Sequence, residues 1–319
     1  MHAFAATLAL ILERLIGYPK PLLDTIRHPV IWMGRLIDLL DQRLNRADRP
    51  PQWRKVAGVF SLALLLLATL IPTAIAGALL RQLPGGWVIE AVLATSLLAQ
   101  KELGLAVRSV ADALDVSLEA GRKAVRGVVG RDPETLDEAG VARAAIESLA
   151  ENAADGVIAP LFWLLVLGLP GIALYKAINT ADSMIGHKSP KYRGFGWASA
   201  RLDDLANWIP ARLTGLLFVA AAFFVSGASP RAAWDVMFAD AAKHESPNAG
   251  WPEAAMAGAL DFALGGPRAY DGEVHPLPKL GRGRDDLGPS DIRKALDLYA
   301  ALLNIALGLC VAIAIAVLK

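Results

Sequence analysis

Apolar residues along this 319-residue chain are gathered into long blocks that polar stretches separate. The blocks cover about residues 2–16, 56–80, 82–100, 156–175, 209–230 and 296–318. A helix needs roughly 20 apolar residues to cross about 30 Å of hydrocarbon, and most of these blocks approach that length. The run Val56–Leu80 contains no Asp, Glu, Lys or Arg, which is unusual for a core helix of a large soluble all-α protein. The pattern therefore predicts an all-α, polytopic integral membrane helical bundle, organised as a single membrane-embedded domain over residues 1–319.

The polar stretches between the blocks predict amphipathic helices at the membrane interface, with loops between them. Asp132-Pro133-Glu134 combines an N-cap residue with proline at the first helical position, so we expect a helix from there to about Asp155. Ser290-Asp291 similarly marks the start of the last helix. Residues 264–289 are rich in Gly and Pro and predict an ordered loop. Alternating β-branched residues and Asn-Gly turns are absent, so the sequence predicts no strands.

Segment 156–175 is expected to be a broken or re-entrant helix, although a plain crossing is the simpler alternative. The long basic stretches 17–55, 101–155 and 228–294 are predicted to be cytoplasmic by the positive-inside rule. A full crossing at 156–175 would put the polar stretches on its two sides on opposite faces of the membrane. Pro160 and Pro170-Gly171 could interrupt the helix, and such a break is tolerated where it lines a protein cavity.

Composition and charge further limit the kinds of protein that the sequence can encode. The chain is 55% hydrophobic with a mean hydropathy of +0.41, and its formal net charge is +1. So small a charge gives no reason to expect a nucleic-acid partner. Cys310 is the only cysteine and is expected to be a packing residue in the last apolar block. The N-terminal block has neither a basic start nor a small-residue cleavage site, so we expect a retained segment rather than a signal peptide.

The first cluster of candidate chemistry is the stretch RAAIESLAENAAD at residues 143–155. On a helix, Arg143, Glu147, Glu151 and Asp155 follow one another at a spacing of four and share a face, with Asn152 beside them. A solvated face with ion pairs would explain Arg143 beside Glu147. It would not explain three carboxylates in one row, because like charges at this spacing repel. The row indicates a need for a cation.

Two further stretches, YKAINTADSMIGH at 175–187 and RLDDLANWIPAR at 201–212, repeat the combination of an acid with an amide. The pairs are Asn152 with Asp155, Asn179 with Asp182, and Asp203 or Asp204 with Asn207. Carboxylate and amide oxygens suit Mg²⁺, which usually also binds phosphate oxygens when it is held in this way. Nearby cations that could neutralise phosphates are Lys176, Lys188, Arg193, Arg201 and Arg212.

A fourth region, HESPNAGWPE at residues 244–253, is either a capping turn or part of the site. The isolated histidines His28 and His187 could likewise serve as bases or be structural. The chain has no P-loop sequence, no G-x-G-x-x-G after a strand, no H-E-x-x-H and no C-x-x-C. A nucleotide would therefore need a site of a different design.

These stretches together resemble the adenosylcobinamide-phosphate synthase family (CobD/CbiB) of cobalamin biosynthesis. The resemblance is carried by ARAAIESLAENAADGVIAPLFW, by YKAINTADSMIGHKSPKYRGFGWASARLDDLANWIPARLTG, by SPNAGWPEAAMAGAL and by HPVIWMGRLI at His28–Ile37. It extends from about residue 8 to the C-terminus, with the motifs in family order. One departure is Gly17-Tyr18-Pro19, where many members have Gly-Asp-Pro, so a role for an acid at that place is in doubt.

The resemblance implies a multi-pass enzyme of the cell inner membrane, with a site expected to face the cytoplasm. It would be an ATP-dependent, amide-forming ligase that joins the f propionate of adenosylcobyric acid to (R)-1-amino-2-propanol or its O-phosphate. ATP and Mg²⁺ are the implied cofactors, the lipid bilayer is a partner, and self-association into a homo-oligomer is left open.

The match marks these positions as motif members, and we assign their roles from their chemistry. The metal-ligand candidates are Asn152, Asp155, Asn179, Asp182, Asp203 and Asp204. The catalytic candidates are Glu147, Glu151, Asp155, Asp182 and His187, with Glu147 and His187 as bases for the amine. The candidates for binding phosphate, the corrinoid or the amino alcohol are Lys176, Lys188, Arg201, Arg212, Asn248, Trp251 and Glu253.

Two alternatives are consistent with part of the pattern. An intramembrane prenyltransferase also uses paired Asn and Asp motifs with Mg²⁺, but it would need a long apolar groove and no ATP. An inner-membrane signalling protein related to the same superfamily, associated with β-lactamase induction, would not be an enzyme. We expect such a protein to have lost part of the Asn/Asp set, which this chain retains.

Overall fold

The computed structural model describes residues 1–18, 25, 27–129, 133–266, 268–270, 273–275 and 278–318. These residues form two compact units, which are described one at a time. The first unit consists of Met1–Ala99, Ala159–Asn207 and Cys310–Lys319, and the second of Gln100–Ile158 and Trp208–Leu309. Most of the regular structure is helical, which confirms the all-α prediction.

The elements follow one another in this order along the chain. The helices are α1 His2–Ile16, α2 Pro29–Leu44, α3 Pro51–Gln82, α4 Gly86–Thr95, α5 Gln100–Leu114, α6 Leu118–Val125, α7 Glu138–Ala153, α8 Ala159–Ile185, α9 Trp197–Ala206, α10 Trp208–Ala221, α11 Pro230–Asp240, α12 Gly250–Leu260 and α13 Pro289–Ala316. A π-helix, Ala154–Ile158, joins α7 to α8, and 3₁₀ turns lie at Ala222–Phe224 and Ala241–Lys243. The strands are β1 Leu264–Gly265, β2 Arg268–Tyr270, β3 Glu273–His275 and β4 Lys279–Leu280.

Three helices of the described part of the chain are long and apolar enough to cross a membrane. They are α3, the continuous stretch Glu138–Ile185, and α13, and a fourth span results if the bent pair Trp197–Ala206 and Trp208–Phe224 is counted as one. The block predicted at 82–100 forms only the 10-residue helix α4. Such a helix is about 15 Å long, because each residue adds 1.5 Å, so it is too short to cross alone. The block at 2–16 forms the 15-residue helix α1, which is also shorter than a span.

The first unit has an apolar core between α2, α3, α8 and α9. Ile37, Leu65, Ala181 and Phe195 are all buried there. Contact between small residues lets the helix backbones approach closely, as is common in membrane helix pairs. This packing fixes the C-terminal half of α8 against α3 and α9, and that half carries several of the candidate site residues.

The helix α8 is interrupted at Gly168, which lies within the segment predicted to be broken. Gly168 has φ 68° and ψ −152°, a conformation that is nearly exclusive to glycine, and Pro170 follows two residues later. The break frees the backbone N–H of Leu169, which donates a 2.9 Å hydrogen bond to Oε1 of Glu90. Glu90 is only 5% exposed, and Nδ1 of His2 lies 3.3 Å from the same oxygen. The break at 156–175 is therefore confirmed, and a buried acid caps the helical half that follows it.

Replacement of Glu90 by alanine is expected to destabilise the protein, because it leaves the Leu169 N–H without its acceptor inside an apolar environment. The expected loss is about 1–3 kcal/mol. Glu90→Gln keeps an oxygen acceptor and should cost less. The measurement is the thermal unfolding midpoint in detergent, with Glu245→Ala, at an exposed loop position, as the control. Equal midpoints for wild type and Glu90→Ala would contradict the capping role.

The second unit contains α10, α11 and α12, which pack on one another, and the buried helix α7. Short antiparallel strand pairs, β1 with β4 and β2 with β3, lie in the region predicted to be an ordered loop. The prediction that the chain has no strands is therefore wrong for this region. Backbone-to-side-chain bonds hold the loop in place: Gly265 N–H donates to Glu147 at 2.6 Å, and Gly281 N–H to Asp240 at 2.8 Å.

The N-termini of α7 and α13, in the second unit, were predicted with different accuracy. Asp132 lies outside the described residues, and α7 begins later than expected, at Glu138. Its N-cap is Asp137, whose carboxylate accepts from the N–H of Gly140 at 2.8 Å. The last helix begins at Pro289, next to the predicted Ser290-Asp291, and Asp291 accepts from the N–H of Gly288 at 3.0 Å.

Candidate functional site

A group of acids and amides forms in the first unit where the end of α8 meets α9. We call it the carboxylate–amide cluster, defined by Asn179, Asp182, Asp203 and Asp204. Asp203 is 8% exposed, and its two carboxylate oxygens accept from Nδ2 of Asn207 at 2.9 Å and from Nδ2 of Asn179 at 3.5 Å. The structure thus brings together two of the three predicted acid–amide pairs.

Asn207 holds this cluster in place from inside the unit. Its Oδ1 accepts a 2.9 Å hydrogen bond from the hydroxyl of Tyr175, while its Nδ2 donates to Asp203. Both Tyr175 and Asn207 are buried. The amide therefore orients the Asp203 carboxylate, and α8 is connected to α9 through side chains rather than through packing alone.

The cluster concentrates negative charge. The charges of Asp182 and Asp203 repel each other, and Asp204 repels both. Arg201 lies 3.5 Å from Asp204, and the positive charge of Lys188 also acts on Asp204. Lys188 and Arg201 are exposed. Because water screens their charges, they offset the repulsion among the carboxylates only in part. A bound cation would relieve it.

The residues of the cluster fit a magnesium ion of the kind that binds together with phosphates. Among the residues that the structure describes, no three or more His, Cys, Asp or Glu side chains are arranged to hold a metal ion on their own. Mg²⁺ in nucleotide sites usually keeps several waters and takes only one or two carboxylates, the remaining ligands being phosphate oxygens. The donor set of buried Asp203, half-buried Asp182 and the amide of Asn179 has this character.

His28 and Lys176 form a second polar group in the first unit. Burial lowers the pKa of His28, the positive charge of Lys176 lowers it further, and a hydrogen bond with the backbone of Ser96 offsets part of the change. An imidazole whose pKa lies below its usual value is neutral at pH 7 and can accept a proton. Its Nδ1 accepts from the N–H of Val30 at 3.2 Å and so caps α2. The sequence alone did not separate His28 from the other histidines, because this environment depends on Lys176 and Ser96.

His187 and Lys188, by contrast, are exposed and follow the end of α8. His187 is close enough to Asp182 for their charges to interact. Both residues are thus beside the carboxylate–amide cluster, although neither is enclosed by it.

The acidic row of the first motif lies in the second unit, and its members have different surroundings. Glu147 is buried and bound to the N–H of Gly265, which fits a structural role better than that of a base. Glu151 is exposed, and Nδ2 of Asn152 donates to the carbonyl of Ser148 at 2.9 Å. Asp155 lies in the π-helix, so the regular spacing of four ends before it. π-Helical turns often occur at functional sites, and the assignment of these residues as metal ligands stays a prediction.

The guanidinium of Arg212 contacts two tryptophan rings in the second unit. Its guanidinium carbon lies 4.3 Å from the ring centroid of Trp208 and 4.7 Å from that of Trp251. Nη1 donates to the carbonyl of Trp208 at 2.6 Å and lies 3.5 Å from Oδ1 of Asn248. These two ring contacts and the two polar contacts together restrict the guanidinium of Arg212.

The turn at residues 244–250 is stabilised by its own side chains. Oγ of Ser246 accepts from the N–H groups of Asn248 and Ala249, each at 3.2 Å. Nε2 of His244 lies 3.7 Å from Glu253, which is 1% exposed. These hydrogen bonds are those of a capping turn, and Glu253 lies inside the unit rather than at its surface. A role of this stretch in binding stays a prediction.

Comparison with known proteins gives a consistent result over nearly the whole chain. A family model described as CobD/Cbib protein matches residues 6–299. The chain is 51% identical to the cobalamin biosynthesis protein CobD of Sinorhizobium fredii over 296 residues, which is 91% of this chain and 90% of the relative. It is 47% identical to the protein of the same name from Brucella suis, over 96% of this chain and 95% of the relative. It is 48% identical to that from Rhodobacter capsulatus, over 93% of each chain. No solved structure matches the chain.

Proposed function

The chain belongs to the CobD/CbiB family and takes part in cobalamin biosynthesis, and on that premise we propose that it is the ligase that forms the aminopropanol amide of the corrinoid. In this proposal it joins the f propionate of adenosylcobyric acid to (R)-1-amino-2-propanol or its O-phosphate, with hydrolysis of ATP. The observation that carries the proposal beyond family membership is the carboxylate–amide cluster, of which Asn179 and Asp182 lie on the same helical half as Lys176. The cell inner membrane is the proposed location.

The chemistry requires activation of the acid, because a carboxylate has no acceptable leaving group. A carboxylate oxygen of the corrinoid acid attacks the γ-phosphorus of ATP, the bond to the β-phosphate oxygen breaks, and ADP leaves. The amine then attacks the acyl carbon of the acyl phosphate, the carbon–oxygen bond breaks, and phosphate leaves. The amine loses one proton to a base in this step. The net reaction forms one amide bond for each ATP converted to ADP and phosphate.

In this proposal, residues of the first unit provide the metal ligands, the cations that bind phosphate and the proton acceptor. Asn179, Asp182 and Asp203 would hold Mg²⁺, which when bound neutralises the charge of the gathered phosphates. Lys176, Lys188 and Arg201 would bind phosphate oxygens of ATP or of aminopropanol phosphate. His28 is our proposed proton acceptor for the amine, since its lowered pKa leaves the imidazole unprotonated at pH 7. His187 is the alternative at the exposed side.

The proposal predicts amide formation by the purified protein, reconstituted in lipid, when adenosylcobyric acid, an amine, ATP and Mg²⁺ are all present. Free and phosphorylated aminopropanol are tested side by side, with product measured by chromatography. ADP and phosphate should appear in equal amounts with the amide, and a chelator should stop the reaction. Release of AMP and pyrophosphate would instead require an acyl adenylate. Formation of amide without ATP would contradict the proposal.

A further inference from the structure

An apolar cavity of about 350 Å³ lies within the first unit, between α2, α3, the end of α4 and the second half of α8. The longest part of its wall is formed by α3, from Leu65 to Ala76, and α8 contributes Leu169 and Ala173. Because each helical residue adds 1.5 Å, the wall extends about 16 Å along α3. The cavity therefore follows a helix that is long and apolar enough to cross a membrane.

The hydroxyl groups of the cavity wall are already bonded to backbone carbonyls of the preceding turn. Thr69 and Thr73 each donate one turn back along α3, at 2.9 and 2.6 Å, and Ser96 donates to the carbonyl of Leu93 at 2.7 Å. The other side chains of the wall are apolar apart from the indole N–H of Trp32. A strongly polar ligand such as a nucleotide would lose its hydrogen bonds to water there without replacing them. The cavity therefore suits an apolar ligand.

The cavity is continuous with the exposed apolar surface of α3, which contacts lipid in a membrane. Only 17% of the most apolar stretch of α3 is buried, and Leu67 and Ile71 are 51% and 55% exposed. Their neighbours in the sequence, Ala68 and Pro72, line the cavity and are exposed as well. Lipid that covers α3 therefore lies directly beside the cavity.

The size of the cavity favours one hydrocarbon chain over larger ligands. Its length along α3, about 16 Å, is close to half of the roughly 30 Å hydrocarbon thickness, which is the depth of one leaflet. Its volume is near the lower end of the roughly 300–1,000 Å³ that drug-sized ligands occupy, so a whole corrinoid is too large for it. Proteins keep few voids larger than a water molecule, and apolar walls do not hold ordered water. Lipid is therefore the occupant that the surroundings provide.

We propose that this cavity binds one acyl chain of a membrane phospholipid. The chain packs against Leu169 and Ala173, at the start of the helical half that carries Asn179 and Asp182. It thus fills the space beside the break in α8 and stabilises the half of the helix that follows. The acyl-chain site rests on the cavity, its walls and the lipid-facing surface of α3, and it does not depend on the proposed ligase activity.

The test is photochemical labelling of the full chain in nanodiscs of phosphatidylethanolamine and phosphatidylglycerol that contain a phosphatidylcholine with a diazirine in its acyl chain. Mass spectrometry of the peptides identifies the labelled residues after irradiation. Lipid at the outer surface reaches exposed residues such as Ile71. Only a chain inside the cavity reaches Leu97 and Leu169, which line it and are 5% and 4% exposed. We expect both of these buried residues to be labelled in the wild type.

Ala68→Phe places an aromatic ring where α3 borders the cavity, so labelling of Leu97 and Leu169 should be lost while labelling of Ile71 persists. Ala63→Phe is the matched control, since Ala63 is likewise exposed on α3 but does not line the cavity. Ala76→Leu, a smaller change at the other end of the α3 wall, should also reduce labelling of the buried residues. The unfolding midpoint of each variant in lipid-free detergent shows whether it is folded.

Stability supplies a second readout. Phospholipid added to the delipidated protein should raise the unfolding midpoint of the wild type and of Ala63→Phe, because a ligand that binds only the folded state stabilises it. The midpoint of Ala68→Phe should rise less. Equal increases in all three proteins would assign the effect of lipid to the outer surface and overturn the proposal.

Three labelling results would also overturn it. Labelling of the wild type that is confined to exposed residues would exclude a chain inside the cavity. Labelling of Leu97 and Leu169 that Ala68→Phe leaves unchanged would place the lipid elsewhere. Loss of this labelling on addition of adenosylcobyric acid would assign the cavity to a substrate. Failure of amide formation, by contrast, would reject the ligase and leave the acyl-chain site in place.

Discussion

Replacement of Asp182 by asparagine is expected to reduce amide formation on the order of 10²-fold or more, while the protein still inserts and purifies. Asparagine has nearly the same shape as aspartate, so the packing of α8 against α9 should persist. What it loses is a carboxylate oxygen and its negative charge within the carboxylate–amide cluster. In the proposed reaction that charge would help to bind Mg²⁺, and the neutral amide of asparagine would not replace it.

The measurement for Asp182→Asn is kcat at saturating ATP, followed by the dependence of the rate on Mg²⁺ concentration. A metal ligand predicts that more Mg²⁺ is needed for half-maximal rate, whereas a merely structural role would lower the unfolding midpoint and leave that dependence unchanged. Asp235→Asn is the control, because the Asp235 side chain is 64% exposed and lies in the second unit. Full activity of Asp182→Asn would exclude the cluster as the metal site.

The sequence predicted the helices well where one long apolar run decides the structure. The runs at 56–80 and 296–318 form α3 and α13. A helix bonds all its backbone groups internally while its apolar side chains contact lipid, so it is the expected structure for such a run in a membrane. It predicted less well where a run is short. The block at 82–100 contains Glu90, and the structure ends the helix at Thr95 and uses the acid to cap another helix.

Helix ends and residue roles depended on contacts that a sequence does not display. Glu147 has the spacing of a catalytic row, but it accepts from the N–H of Gly265, 118 residues away. Arg212 was expected to bind phosphate, and its contact with a second indole, that of Trp251 on α12, could not be predicted from the sequence spacing. The repeated acid–amide motif, in contrast, predicted that Asn179, Asp182 and Asp203 serve one site, and the structure places these three close together.

The break in α8 is the feature that the sequence anticipated from its prolines and that the structure assigns to a glycine. An alanine at position 168 would have to adopt φ near 68° and ψ near −152°, which costs a residue with a side chain about 1–3 kcal/mol. Its Cβ would also lie 2.4 Å from Cε1 of His2 and 2.8 Å from Oε1 of Glu90. Because Glu90 is buried, moving it aside breaks its bond to the N–H of Leu169.

Gly168→Ala is therefore expected to destabilise the protein by about 3 kcal/mol, the sum of backbone strain and one lost buried hydrogen bond. The unfolding midpoint in detergent should fall by several degrees. Gly308→Ala is the matched control, since nothing lies within 4 Å of a Cβ built there and the residue is in the middle of α13. Alanine is the better helix former, so that variant should be neutral or slightly stabilised.

A second measurement connects the break to the site. The half of α8 that begins at Leu169 carries Lys176, Asn179 and Asp182, so a change in its starting geometry should also alter catalysis. We expect Gly168→Ala to lower kcat in the protein that remains folded, and Gly308→Ala to leave kcat unchanged. If Gly168→Ala unfolded at the wild-type midpoint, the strained glycine and its cap by Glu90 would not be what holds this half of the helix in place.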